Sequence, residues 1–326
     1  MLVGTAVRPE QLSERAYAAT LAREYNMVEP EDAMKWWVLR PDSAGFDFRP
    51  ADRVVDFARA HGMKVRGHTL VWGRSNPPWL SDRHWEPKEL SRLLQEHIAR
   101  VVGHYRGQVF AWDVVNEAFD EHGRLRSSIW YDQPGIGFAG DATRYIEEVF
   151  RWAHAAAPDA RLFYNDAEAE TKNVKSDAIL AMVKDFRRRG VPIDGVGLQM
   201  HLRDLNPDIE GIRANIERFV ALGIQVHITE MDVALRTDAE GKVVDPEDLA
   251  RQAELYRQIA QRAHKLGAVR LKPGASRTNT RGFVPPPGVR RMRRCRSTEI
   301  TWPSRLMRHG ERQSLAATRR APFGNS

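Results

Sequence analysis

The chain has 326 residues, 42% of them hydrophobic, a length and composition that suit one α/β barrel with insertions around a sizeable core. No apolar run reaches the roughly 18 residues of a membrane-spanning helix, no signal peptide is read ahead of the first apolar segment, and the one cysteine, Cys295, excludes an intrachain disulfide or a cysteine metal cluster. The formal charge of +7 is uneven: residues 262–326 carry 16 Lys/Arg against 2 Asp/Glu, which leaves the preceding body mildly acidic.

Strand-like runs alternate with amphipathic segments from the first residues, the pattern of βα units around a parallel sheet. The sequence predicts strands at Leu2–Val7, Tyr25–Val28, Lys64–Thr69, Val109–Val115, Arg161–Tyr164, Gly195–Gln199 and Gln225–Thr229. Helical spacing of apolar residues predicts helices at Ala51–His61, Pro87–Tyr105, Asp141–Ala157, Val174–Arg189, Ile209–Leu222 and Pro246–His264. Gly and Pro punctuate the units, as in His61-Gly62, Gly190-Val191-Pro192 and Leu222-Gly223. Seven strands are legible, whereas a closed (β/α)8 TIM barrel needs eight. The expected fold is therefore that barrel over residues 1–261, with its eighth strand and helix missing or malformed. Residues 262–326 read as a basic, disordered tail, with Pro285-Pro286-Pro287, the run Arg290-Arg291-Met292-Arg293-Arg294 and no sustained period.

Two apolar segments end in a glutamate: Phe110-Ala111-Trp112-Asp113-Val114-Val115-Asn116-Glu117 and Ile224-Gln225-Val226-His227-Ile228-Thr229-Glu230-Met231-Asp232. Catalytic groups of such barrels sit at the carboxyl ends of strands. Two carboxylates brought together there can cleave a glycosidic bond, one as acid/base and one as nucleophile. A lone strand-end Glu is most often a surface group or a helix cap, but Asn116 beside Glu117 supplies an amide suited to a sugar hydroxyl. Asp232 shares a strand face with Glu230 if that strand continues, and His201, ending the preceding strand, is placed to bridge the two. Glu31 and Lys35, near Trp36 and Trp37, suit a clamp for sugar hydroxyls and a ring face, and so does Gly67-His68-Thr69-Leu70-Val71-Trp72. Tyr164-Asn165-Asp166 repeats the pattern at the fifth strand.

Together these residues resemble the family-ten glycoside hydrolases, the endo-β-1,4-xylanases. The likeness runs from Gly4 to about Gln261 and rests on five motifs in family order: Glu31…Met34-Lys35-Trp36, Gly67-His68-Thr69-Leu70-Val71-Trp72, Trp112-Asp113-Val114-Val115-Asn116-Glu117, Gly197-Leu198-Gln199-Met200-His201 and Ile228-Thr229-Glu230-Met231-Asp232. The resemblance implies Glu117 as acid/base and Glu230 as nucleophile. It also implies that Glu31, Lys35, His68, Trp72, Asn116, Gln199 and His201 line the sugar subsites, with Asp232 and Tyr164 in support. Asp32 stands where the family often has Asn, and Gly73 where it often has His.

The expected reaction is endo-hydrolysis of β-1,4-xylan with retention, without metal or organic cofactor. The expected partner is xylan or a xylo-oligosaccharide, bound by a monomer, with no nucleic-acid or membrane partner. Two rivals stand beside it: a retaining β-glucanase on the same barrel, and an inactive carbohydrate-binding barrel opened by loss of the eighth strand. The family's eighth-strand motif, Trp-Gly…Asp…Ser-Trp, is absent, yet Arg262–Arg281 permits it when read one base out of frame. The tail is therefore expected to be a shifted frame; the alternative is a nucleic-acid-binding arm, which predicts salt-sensitive binding.

Overall fold

A computed structural model describes residues 1–238 and 243–266, and the backbone of 270–273. Its strands are β1 (Leu2–Val7), β2 (Met27–Pro30), β3 (Lys64–Trp72), β4 (Val109–Asn116), β5 (Arg161–Asp166), β6 (Gly195–Leu198), β7 (His201–Leu202), β8 (Gln225–Val233) and β9 (Arg270–Pro273). Every pairing is parallel. Successive strands pair from β1 to β6, β6 passes to β8, and β9 joins β8 back to β1, so eight strands close a ring. The two-residue β7 lies outside that ring and extends the upper end of β8.

The eighth place, for which the sequence offered no strand, is taken by the four-residue β9. Leu2 and Val3 face Arg270 and Leu271 on one side, while Ile228 and Met231 face Leu271 and Pro273 on the other. Main-chain pairing needs only an extended segment, which is why a stretch without a strand pattern can fill this gap. Helix Glu247–Lys265 and β9 carry regular structure past Gln261 into the stretch read as a disordered tail, while the proline run and the arginine run lie outside the described residues.

The remaining helices cover Arg15–Glu24, Arg49–Ala60, Pro87–His104, Arg144–Ala156, Val174–Arg188, Ile209–Val220 and Glu247–Lys265, with short turns at Trp36–Leu39 and Pro78–Ser81. Arg49–Ala60 shows how the sequence dictates one. A proline starts it, Asp52 sits in its first turn, and Ala51, Val54, Val55 and Ala58 recur at i, i+3, i+4 and i+7 to form its buried stripe. Full burial of each larger side chain contributes about 1.5–3 kcal/mol. Arg15–Glu24 escaped the sequence reading because Leu21 is its one buried residue, so no apolar stripe marks it. Among the described residues, no helix is long and apolar enough to cross a membrane.

Several strands extend further than their apolar runs. Expected ends at Thr69, Tyr164 and Thr229 become Trp72, Asp166 and Val233, because the ladder continues through polar residues: Trp72 faces Asn116, Asn116 faces Asn165, and Asp232 faces His201. Two glycines create the room this requires. A Cβ on Gly67 would meet the Trp112 ring at 2.2 Å, and one on Gly197 would meet Asn165 Oδ1 at 2.2 Å.

Candidate active site

Glu117 is the first residue after β4, and its backbone adopts φ +53°. That left-handed conformation costs a non-glycine residue on the order of 1–3 kcal/mol and persists only where neighbours enforce it. Here the Glu117 N–H donates to the Asn165 carbonyl at 2.9 Å, and the next N–H, that of Ala118, donates to the Tyr164 hydroxyl at 3.0 Å. Met200, two residues past β6, repeats the turn at φ +64°, with its N–H donating to Glu170 Oε1 at 2.9 Å. Both turns swing polar side chains over the strand ends.

Buried amides connect the two glutamates. Glu117 Oε1 accepts from Gln199 Nε2 at 3.1 Å, and Oε2 accepts from Trp72 Nε1 at 3.2 Å. Glu230 Oε1 accepts from Asn165 Nδ2 at 2.9 Å. Asn116 Oδ1 accepts from both Asn165 Nδ2, at 2.9 Å, and Gln199 Nε2, at 3.2 Å. The Glu230 carboxylate can only accept, so the Asn165 amide nitrogen faces it, and the Thr229 hydroxyl donates to Asn165 Oδ1 at 2.6 Å. Asn116, Asn165, Gln199 and Thr229 are buried, whereas 22% of the Glu230 side chain stays exposed and Glu117 is half-buried. The carboxylates thus look outward from a floor whose hydrogen-bonding groups are committed.

His201 lies between Glu230 Oε2, at 3.5 Å from its Nε2, and Asp232 Oδ1, at 3.1 Å from its Nδ1. Burial disfavours its charged form, but the contacts with Asp232 and Glu230 outweigh that and push its pKa up to about 10. These contacts favour the imidazolium form at neutral pH. On the far side of Glu117, the Tyr164 hydroxyl donates to Asp166, and Lys175 Nζ sits 2.6 Å from the same carboxylate. Burial pushes Asp166 up to about 6, against the opposing pull of Lys175 and Tyr164 and with a further push from Glu117.

Of the remaining sequence-predicted residues, Glu31 and Lys35 follow β2 and His68 lies buried within β3. Glu31 accepts from Arg8 at 2.8 Å, and Lys35 donates to Asp32 at 2.9 Å. Lys35 Nζ also lies 5.3 Å from the centre of a Trp72 ring. His68 Nδ1 is 3.0 Å from Asp113 Oδ2. Trp72, Asn116, Glu117, Gln199, His201, Glu230 and Asp232 therefore share one contact network, which Tyr164 joins through the Ala118 N–H, while Glu31 and Lys35 stand beside it.

Three contributors were given no role of their own from the sequence: Arg66, and Asn165 and Asp113, which stood there only inside longer motifs. Arg66 Nε donates to Asp113 Oδ2 at 3.1 Å and a second nitrogen bonds the other oxygen, while Nη1 is 2.7 Å from His227 Nδ1. Glu29, His68 and Asp113 come close enough to surround a cation. Arg66 already supplies that charge, lying 3.6 Å from Glu29 as well as pairing with Asp113. Burial opposes the charge on Asp113, but Arg66 and His68 hold its pKa below the usual value. A charged residue between Val65 and Gly67 in an apolar run was the available signal, since a buried arginine requires a partner.

Residues 1–270 match the profile of glycosyl hydrolase family 10. The chain belongs to glycosyl hydrolase family 10. Among curated family 10 relatives, endo-1,4-beta-xylanase B of Thermotoga neapolitana is 42% identical over 243 residues, covering 74% of this chain and 67% of the relative. Among solved structures, native xylanase 10B of Thermotoga maritima superposes with a TM-score of 0.78 at 39% identity, covering 84% of this chain and 82% of that one. Xylanase 10B of Thermotoga petrophila, solved with xylobiose, gives 0.76 at 38% identity over 84% and 81% of the two chains.

Proposed function

We propose that this family 10 glycosyl hydrolase cleaves internal β-1,4-xylosidic bonds of xylan with retention of configuration, Glu230 acting as nucleophile and Glu117 as acid/base. The observation that carries the reading is the pair of outward-facing strand-end carboxylates, each fixed by a different amide of one buried network. Xylobiose in the Thermotoga petrophila relative supports a xylo-oligosaccharide as the ligand. The same outward carboxylates argue against an inert binding barrel. The proposed acting unit is a monomer.

In the first step a Glu230 oxygen bonds to the anomeric carbon while the bond to the leaving oxygen breaks, and Glu117 gives that oxygen its proton. In the second, Glu117 takes a proton from water, whose oxygen bonds to the same carbon and releases Glu230. The His201 imidazolium places a positive charge against the carboxylate that must attack as an anion. Asn165 holds the same carboxylate from the opposite oxygen. A fixed donor array of this kind needs no reorganisation during reaction.

Proton NMR of xylo-oligosaccharide hydrolysis tests the stereochemistry. The β-anomer should appear first and then mutarotate. Initial release of the α-anomer would reject double displacement.

A further inference from the structure

Beside Glu117 lies a cavity of about 620 Å³, within the range of small-ligand sites. Trp72, Gly73 and Arg74 form one side, and the 118–130 segment forms the other. Gly73 leaves this space open. A Cβ there would already stand 3.1 Å from the Ser128 Cβ, so a longer side chain would press on Ser128.

Three arginines and three carboxylates line the cavity, and most are paired. Asp120 holds Arg124 at 3.0 Å and accepts from the main-chain N–H groups of His122 and Arg124. Arg126 lies 3.9 Å from Glu121, and Arg126 Nε donates to the Phe119 carbonyl. Two charges remain: Glu117, proposed to carry the reactive proton, and Arg74, which forms no ion pair among the described residues.

We propose that this cavity receives an acidic substituent of the polysaccharide, and that Arg74 is the specificity residue that binds its carboxylate. The inference rests on the xylanase reading above. Glu117 must reach the scissile oxygen, so a cavity walled by Glu117 is within reach of groups branching from the sugars flanking that bond. Arg74 presents a planar donor fork that matches a carboxylate. Asp120 and Glu121 are taken up by Arg124 and Arg126, so neither carboxylate is paired with Arg74. A uronic acid on the xylan backbone has the required chemistry, whereas a neutral pentose branch has the size without the charge.

The test is the ratio of kcat/KM on a xylo-oligosaccharide bearing one glucuronic acid to kcat/KM on the unsubstituted oligosaccharide of equal length. Arg74→Ala should lower this ratio by about tenfold, the factor of a modest charge-assisted hydrogen bond. Arg74→Glu should lower it further, and Arg74→Lys should retain part of it, with circular dichroism confirming the fold of each variant. An unchanged ratio in Arg74→Ala overturns the proposal. A shifted pH profile on the unsubstituted substrate with an unchanged ratio also overturns it, because Arg74 would then act on Glu117 alone. Failure of the parent enzyme on the unsubstituted oligosaccharide would instead reject the xylanase reading.

Discussion

The side-chain amide of Gln199 donates to Glu117 Oε1 at 3.1 Å. The main-chain carbonyl of the same residue accepts from the Glu230 N–H at 3.0 Å. A single buried residue therefore touches both halves of the proposed acid/base and nucleophile pair. Its position is set by the left-handed turn at Met200, which Glu170 fixes through the Met200 N–H.

Replacing Glu117 with Ala should produce a loss that depends on the leaving group. With xylan, whose leaving alkoxide needs a proton, the first step should slow by at least the roughly 10²–10⁴-fold of general acid catalysis. An aryl xylobioside with an acidic phenol should be nearly spared in that step and should show a burst of phenol, since deglycosylation still lacks its base. Stopped-flow absorbance reads both steps. Equal losses on the two substrates with no burst would reduce Glu117 to a binding residue.

Asp113 supports the site from beneath, and its loss should be read in stability. Asp113→Ala strands the buried Arg66 guanidinium and should cost about 3–5 kcal/mol, the range for breaking one side of a buried ion pair. Urea unfolding measures this. A change within the spread of ordinary surface substitutions would mean that Glu29 and His227 satisfy Arg66 without Asp113.

His201 should give stability a pH dependence on the alkaline side. Its folded pKa of about 10 lies above the unfolded value near 6.5. A raised pKa means that the folded state binds the proton more tightly, so this contribution is complete below about 6.5 and is lost as pH rises through about 10. The melting temperature should fall across that window, and Asp232→Asn should flatten the decline. NMR titration of the imidazole should show it protonated at pH 8; a neutral ring there would reject the ion-pair geometry.

The tail readings lead to a comparison of two chains. If residues 262–326 are a shifted frame, restoring the frame supplies the tryptophans of the eighth-strand motif and should raise xylan turnover well above that of the chain as written. Equal turnover by both chains would show that the restored motif contributes nothing. DNA sequencing across codons 255–285 with peptide mass analysis settles the frame itself.

Much of the barrel was legible because strand and helix periods alternate and because polar residues appear abruptly at strand ends. Glu117 and Glu230 stood out since each closes an apolar run with a charge. Asn165 was harder to see. Its part in the site depends on Thr229 and on the space left by Gly197, which are far apart in sequence and meet only across the sheet. Arg66 was hidden for a similar reason, because its partners Glu29, Asp113 and His227 come from three other strands. The closing strand β9 was illegible because Arg270-Leu271-Lys272-Pro273 has two charges, a proline and one apolar residue, and so shows no strand pattern.

The most direct test of the account is to trap the intermediate. A 2-deoxy-2-fluoro xylobioside with an activated leaving group should glycosylate the enzyme and turn over slowly, because the fluorine disfavours the second transition state. Peptide mass spectrometry should locate the sugar on Glu230, and Glu230→Ala should remain unlabelled while regaining turnover of an activated substrate with azide. Labelling on any other carboxylate, or near-normal xylan turnover by Glu230→Ala, would contradict the assignment of Glu230 as the nucleophile.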